Sequence, residues 1–150
     1  MSSYSQYYKE EMQFNKYNSF GNVLQWSCLG EKTTYLWSYN HQHIVAEIKN
    51  ASYGEVEAAL TKTYLENLSR NKNPDISTLD TNLRNAFANK MVMIITYTHK
   101  PLVGITSQTD ERGFTTYFAY DILNRLKETY FMENGAKRVM QDYDYHYKNQ

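Results

Sequence analysis

Asp142, Asp144 and His146 alternate with tyrosines near the end of the chain, and two carboxylates with an imidazole form a donor set for a divalent cation. On a strand, alternation puts all three on one face. Ligands two residues apart on a straight strand are spaced by about 6 to 7 Å, so the three cannot converge on one ion without a donor from elsewhere. A solvated strand face accounts for the same residues. His41 and His43 flank Gln42, with Glu47 near by, and pose the same question with the same alternative. Cys28 is the single cysteine, which rules out an intrachain disulfide and a zinc framework. With no Cys-His spacing to argue from, it reads as an inert thiol beside Trp26. Glu10, Glu11 and the scattered acids offer no pair that would serve as glycosidase acid and nucleophile. No catalytic residue, metal site or cofactor is assigned, and the chain is expected not to be an enzyme.

The aromatic residues carry a different chemistry. Trp26, Tyr35, Trp37 and Tyr39, and the row Tyr143, Tyr145, Tyr147, could present flat apolar faces with polar rims, which suit sugar rings. Aromatics at every second residue are also what the wall of a sheet needs. Exposure in one contiguous patch would favour a glycan partner, because such patches seldom occur without one.

Both ideas require strands, and the chain is punctuated for them. Aromatic-plus-turn signals recur at Tyr17-Asn18-Ser19-Phe20-Gly21, Tyr39-Asn40, His99-Lys100 and Tyr120-Asp121-Ile122-Leu123-Asn124-Arg125. A glycine follows the anchors at similar distances: Gly30 is 13 residues after Tyr17, Gly113 is 14 after His99, and Gly135 is 15 after Tyr120. Repetition of this kind means stacked units. Each unit reads as a β-hairpin. Asp121 can bond the backbone of the turn it opens, and Asn124 or Gly21 can take the left-handed conformation that closes one. Thr116, Phe118 and Tyr120 share one face of a strand, and Val139, Gln141, Tyr143, Tyr145 and Tyr147 share one face of another, the period of a half-buried strand. Asn134-Gly135 between two such stretches is the strongest short hairpin signal in the chain. Fifteen tyrosines fit a pleated, half-covered surface.

The run Gly113-Phe114-Thr115-Thr116-Tyr117-Phe118-Ala119-Tyr120-Asp121-Ile122-Leu123-Asn124-Arg125-Leu126 resembles the RHS or YD repeat of large bacterial surface and secreted proteins, with Asn124 in that unit's glycine position. Tyr17 to Val23 is similar with Asn18 for the aspartate. Tyr97 to Ser107, which includes Gly104, and Thr33 to Asn40 are more diverged units. The resemblance covers about two thirds of the chain. It implies hairpins that spiral into a shell, with Tyr17, Tyr39, Tyr120 and Tyr145 as stacked wall positions. Gly21, Gly104, Gly113, Asp121, Asn124, Arg125 and Gly135 would be turn elements, with Arg125 pairing with Asp121 or a neighbour's acid. Toxin-bearing members of that family end in a proline- and aspartate-rich segment, whereas the only prolines here are Pro74 and Pro101. The resemblance therefore implies a shell or scaffold part of a larger protein, outside the cell or on its surface, and not toxin release. Its partners would be neighbouring repeats of the parent.

Between Tyr39 and His99 lies about one unit plus an insertion, which reads as two helices within about 51–90. Ser52 with Glu55 three residues on is a capping box. Val56, Ala59, Leu60, Tyr64 and Leu68 make one apolar stripe. After Pro74, Ile76, Leu79, Leu83, Ala86 and Phe87 make another. Two such helices suit the cover of an apolar sheet face. Met91-Val92-Met93-Ile94-Ile95 is apolar on both faces and is expected as a buried strand.

One chain of 150 residues is long enough for one domain with a core. The 16 basic and 16 acidic residues are interspersed and sum to zero, so nothing suggests a nucleic-acid surface. No apolar stretch approaches the roughly 20 residues of a membrane span, and Met1 to Gln6 lacks the pattern of a signal peptide. The expected fold is α+β and mainly β: a single module over residues 1–150, built of antiparallel hairpins of YD-repeat type with a two-helix insertion. Its expected role is structural, with a carbohydrate-binding module as the alternative. Open sheet edges make self-association an expected property.

Overall fold

The computed structural model describes residues 12–146; Tyr147 and Glu10-Glu11 lie outside them. The chain divides into two compact units, one ending at Ile94 and one beginning at Ile95. The described elements are β1 (Gln13–Tyr17), β2 (Val23–Cys28), β3 (Glu31–Ser38), β4 (His43–Lys49), α1 (Tyr53–Leu60), α2 (Lys62–Arg70), α3 (Ile76–Ala86), β5 (Met93–Lys100), β6 (Gly104–Thr109), β7 (Thr115–Tyr120), β8 (Leu126–Glu133) and β9 (Ala136–Asp142). The fold is α+β and mainly β. In each unit, strands pair antiparallel with their sequence neighbours, β1-β2-β3-β4 in the first and β5-β6-β7-β8-β9 in the second.

The first unit owns the hydrophobic core. Leu36 on β3, Ala46 and Ile48 on β4, Val56 on α1, Leu65 and Leu68 on α2, and Ile76, Leu79, Leu83 and Phe87 from the α3 region pack together, all buried. The strands alternate as one-sided strands must, with Thr34, Leu36 and Ser38 buried between half-covered Tyr35 and Trp37. The buried hydroxyls on that face are satisfied: Thr34 Oγ1 donates to the Ala51 carbonyl at 2.8 Å and Ser38 Oγ to the Leu68 carbonyl at 2.6 Å.

The insertion holds three helices where the apolar stripes suggest two. The Ser52–Glu55 capping box starts α1. The stripe from Val56 to Leu68 is then broken at Thr61, whose φ of 74° is left-handed. Thr61 closes α1 through its backbone N–H and opens α2 by accepting from the Tyr64 N–H. The break rotates the second stretch, so Leu65 is buried and Tyr64 only half-buried. α3 is capped by Asp75, which accepts from the Thr78 N–H. That bond holds the Asp75 carboxyl below the usual carboxylate range.

The 91–95 run is not buried on both faces. Met91 is 92% exposed and Met93 43%, while Ile94 is buried, so β5 starts as an ordinary one-sided strand. In the second unit Thr96 on β5 and Ser107 on β6 are buried, while β7, β8 and β9 bury no residue. Every residue of β7 is half-covered, and every residue of β9 is exposed. Of the face expected to be half-buried from Val139 to Tyr147, Val139, Gln141 and Tyr145 are exposed and Tyr143 is half-buried; β9 ends at Asp142, and Tyr147 lies outside the described residues. Asn134 (φ 50°) and Gly135 (φ 78°) form the two-residue left-handed turn between β8 and β9.

Candidate functional site

Three turns among the described residues are built alike. Asp121 Oδ1 accepts from the Leu123 and Arg125 N–H groups at 2.8 and 3.0 Å, its own N–H donates to the Arg125 carbonyl, and its carbonyl accepts from Asn124, where φ is 58°. Asn18 makes the same four bonds with Phe20, Asn22 and Gly21, with Gly21 at φ 82°. Asp110 makes them with Arg112, Phe114 and Gly113, also at φ 82°. The sequence requirement is therefore an Asn or Asp, two free positions, then a residue tolerant of positive φ. Gly113 is among the expected turn elements, but its opener Asp110 is not, because anchoring on aromatics passes over a turn preceded by Thr109. An Asx-x-x-Gly/Asn search would have found it. At Asp121 a further bond is added: Arg125 Nε donates to Asp121 Oδ2 at 2.8 Å. The backbone bonds, together with this arginine, hold the Asp121 carboxyl below its ordinary range.

A second regularity is a set of aromatic clasps. Tyr120 Oη, at the end of β7, donates to the Ile105 carbonyl at the start of β6 at 2.7 Å. Tyr145 Oη donates to the Leu126 carbonyl at the start of β8 at 2.7 Å. Trp37 Nε1, near the end of β3, donates to the Val23 carbonyl at the start of β2 at 2.8 Å. In each hairpin the acceptor lies five residues after the turn opener: Asn18 and Val23, Lys100 and Ile105, Asp121 and Leu126. In two of the three, the residue before the acceptor lies against the ring of the clasp. A Cβ on Gly104 would meet the Tyr120 hydroxyl at 2.5 Å. Arg125 lies with its guanidinium 4.3 Å from the Tyr145 ring centroid. Tyr120 closes one hairpin and Asp121 opens the next turn, which is why the two residues are adjacent.

Tyr39 is 8% exposed and belongs to the core of the first unit. Tyr39, Asn40 and His41 have φ of 53°, 57° and 65°. This run aims N–H groups at the end of α2: His41 donates to the Ser69 carbonyl and Asn40 to the Asn71 carbonyl. A helix leaves its last carbonyls without partners, and this turn supplies them. Tyr17, at the end of β1, is 53% exposed.

The aromatics weighed as sugar binders fall into separate places. Trp26 Nε1 donates to Tyr35 Oη at 3.0 Å, and Trp26, Tyr35 and Trp37 are all half-buried in the first unit. Tyr143 is half-buried in the second unit, and Tyr145 is engaged as a clasp. Of the suggested metal donors, His146 Nε2 lies 3.1 Å from Asp144 Oδ2 with both side chains open to solvent. His41 stacks on Phe20, His43 lies edge-on to Tyr39, and Glu47 is near Lys49. Among the described residues no three His, Cys, Asp or Glu side chains gather as a metal site, and Cys28 is half-buried.

The first unit also holds an open pocket of about 360 Å³. The β2–β3 register runs from Cys28–Glu31 to Gln25–Thr34. The pocket opens beyond that last pair, between Leu24 on one strand and Leu36 and Trp37 on the other. Phe20 and His41 line one part of it, and Tyr53 with the α2 residues Glu66 and Arg70 another.

These elements define a protein of antiparallel hairpins with a helical layer on one unit. No protein family matches the chain, and no curated protein does. A solved crystal structure, TcdB2-TccC3 without its hypervariable C-terminal region, is similar over 79% of this chain at 18% identity with a TM-score of 0.46. The matched part is 5% of that polypeptide's length. Among the described residues no helix is long and apolar enough to cross a membrane.

Proposed function

We propose that this chain is a structural module, a set of YD-type hairpins that forms part of the shell or scaffold of a larger bacterial surface or secreted protein. The observation that carries the reading is the repeated turn-and-clasp unit. Opener, acceptor and aromatic donor recur as Asn18, Val23, Trp37; Lys100, Ile105, Tyr120; and Asp121, Leu126, Tyr145. A unit whose bonds tie it to itself and hand directly to the next, as Tyr120 hands to Asp121, can be added indefinitely. The partners in this reading are further hairpins, which add to the exposed edge strands.

Edge pairing can be measured on the chain as it stands. Light scattering across a concentration series is expected to show mass rising above that of the monomer. Met140→Lys, on fully exposed β9, is expected to hold the chain closer to monomer by placing charge on the edge. A chain that stays monomeric at every concentration, with Met140→Lys indistinguishable from it, would overturn the reading of its edges as joints.

A further inference from the structure

The pocket of the first unit is not used by the scaffold reading, and its chemistry is specific enough to name a ligand class. Trp37 spends its indole N–H on the Val23 carbonyl, so what it adds to the pocket is an apolar surface. Phe20, 65% exposed, stacks on His41 with ring centroids 4.0 Å apart. The His41 Nδ1 is shut away from solvent with no hydrogen-bond partner. The exposed Phe20 ring therefore adds a second apolar surface. Glu66 and Arg70 stand one turn apart on α2, both exposed, and among the described residues neither forms an ion pair with a neighbour. Burial, with the Glu57 and Glu66 charges behind it, pushes the Tyr53 phenol up from its ordinary value, so it stays a hydroxyl.

The pocket thus combines apolar surfaces with one carboxylate acceptor, one planar five-donor cation and a phenol. The two charged side chains that line it sum to zero, and just outside the lining Lys16, 4.5 Å from the Tyr53 ring centroid, is balanced by Glu57, whose charge Tyr53 also feels. An anionic ligand would meet Glu66, a cationic one would meet Arg70, and a wholly apolar one would cover both charges without pairing them, which is costly. A ring with apolar C–H faces and hydroxyls around its rim satisfies every group. About 360 Å³ is at the small end of ligand pockets, which limits the guest to one or two rings. We propose that this pocket binds a neutral mono- or disaccharide, its ring against Phe20 and Trp37 and its hydroxyls on Glu66, Arg70 and Tyr53. The proposal is independent of the scaffold role.

The test is saturation-transfer NMR and calorimetry on the full chain with glucose, galactose, N-acetylglucosamine, maltose and lactose, and with glucuronic acid and glucosamine as charged counterparts. Saturable binding of at least one neutral sugar is expected, with a dissociation constant on the order of 1 mM or tighter. Phe20→Ala and Glu66→Gln are each expected to weaken it about tenfold or more. Both side chains are exposed, so the far-UV spectrum and melting temperature should be unchanged and loss of binding cannot be ascribed to unfolding. No saturation by any neutral sugar overturns the proposal. So does tighter binding of a charged counterpart, or binding that both variants leave intact.

Discussion

The β2–β3 and β8–β9 hairpins are built from the same parts and end in opposite states of burial. Each begins after an Asx turn, Asn18 to Gly21 or Asp121 to Asn124. Each is clasped by an aromatic donor, Trp37 or Tyr145, and each reverses through a two-residue left-handed turn, Leu29-Gly30 or Asn134-Gly135. Yet β3 buries Thr33, Thr34, Leu36 and Ser38, while β9 buries nothing. Local chemistry is therefore enough to specify a hairpin, and it says nothing about what covers one. Cover comes from the insertion, whose helices deliver Leu65, Leu68, Leu79 and Leu83 to the core of the first unit.

If that contrast is right, the largest losses come from the helical layer. Leu79 is fully buried, and Leu79→Ala should cost about 2 to 5 kcal/mol, read from urea unfolding followed by tryptophan fluorescence, since both tryptophans lie in the first unit. Val139→Ala on β9, half-exposed at 52%, should stay within about 0.5 kcal/mol. Amide exchange should be slow in β3 and β4 and fast in β9. Comparable losses at the two sites would mean that β9 is covered in solution and that the contrast is false.

The clasp is the next test. Gly104→Ala drives a methyl group against the Tyr120 hydroxyl and places a side chain at φ 156°, an overpacking expected to cost about 1 to 3 kcal/mol. Tyr120→Phe removes the contacting oxygen and its bond to Ile105, a loss of about 0.5 to 1.5 kcal/mol. The double variant should be less destabilised than the sum, because the substitutions share one contact. Strict additivity would show that Tyr120 does not rest on Gly104.

How far the sequence could be read follows the same division. The capping box at Ser52, the Asn134-Gly135 turn and the left-handed Asn124 are local arrangements, and local residues specify them. Three features escaped because their causes lie elsewhere in the chain. The break at Thr61 runs against propensity: β-branched threonine has no intrinsic liking for φ 74°, and the helices on either side of it bury Val56, Leu65 and Leu68 in the core. Tyr39 looks like Tyr120 in sequence, but the carbonyls at the end of α2 claim its turn. The pocket draws on Phe20, Trp37 and α2, segments whose proximity depends on β3 meeting the insertion, and no spacing rule connects them. The Asp110 turn escaped for a simpler reason, since it lacks the aromatic that flags the others.

Charge distinguishes two turns that otherwise match. Asn18 and Asp121 make the same backbone bonds, but only Asp121 ionises, and its pKa lies below the ordinary value in the folded chain because the Arg125 backbone N–H and guanidinium favour the carboxylate. A carboxyl whose pKa is depressed by folding contributes stability that is complete above its unfolded pKa, about 3.9, and is lost as pH falls through the lower folded value. Asp121→Asn keeps the Oδ1 acceptor and discards the charge. Its melting temperature should lie below that of the parent near neutral pH and converge on it in strong acid. Asn18→Gln, which has no charge to lose, should show a difference that does not change over the same range. Parallel curves for Asp121→Asn would mean that the arginine pair adds nothing to the turn.

The smallest effect is at the hairpin tips. Asn134 at φ 50° is a residue that tolerates the left-handed region, whereas Leu29 at the same φ is 71% exposed and has no side-chain polar group to bond its own backbone. A left-handed conformation costs an ordinary L-residue about 1 kcal/mol or more, and little of Leu29 is covered to offset it. Leu29→Asn should therefore stabilise the first unit by up to about 1 kcal/mol. Asn134→Leu should destabilise the second by a similar amount, which calorimetric melting would register. The two changes exchange the tips of the matched hairpins, so equal and opposite shifts would show that the tips act independently of the helices. A loss on Leu29→Asn would place the leucine side chain in a contact that outweighs its backbone strain.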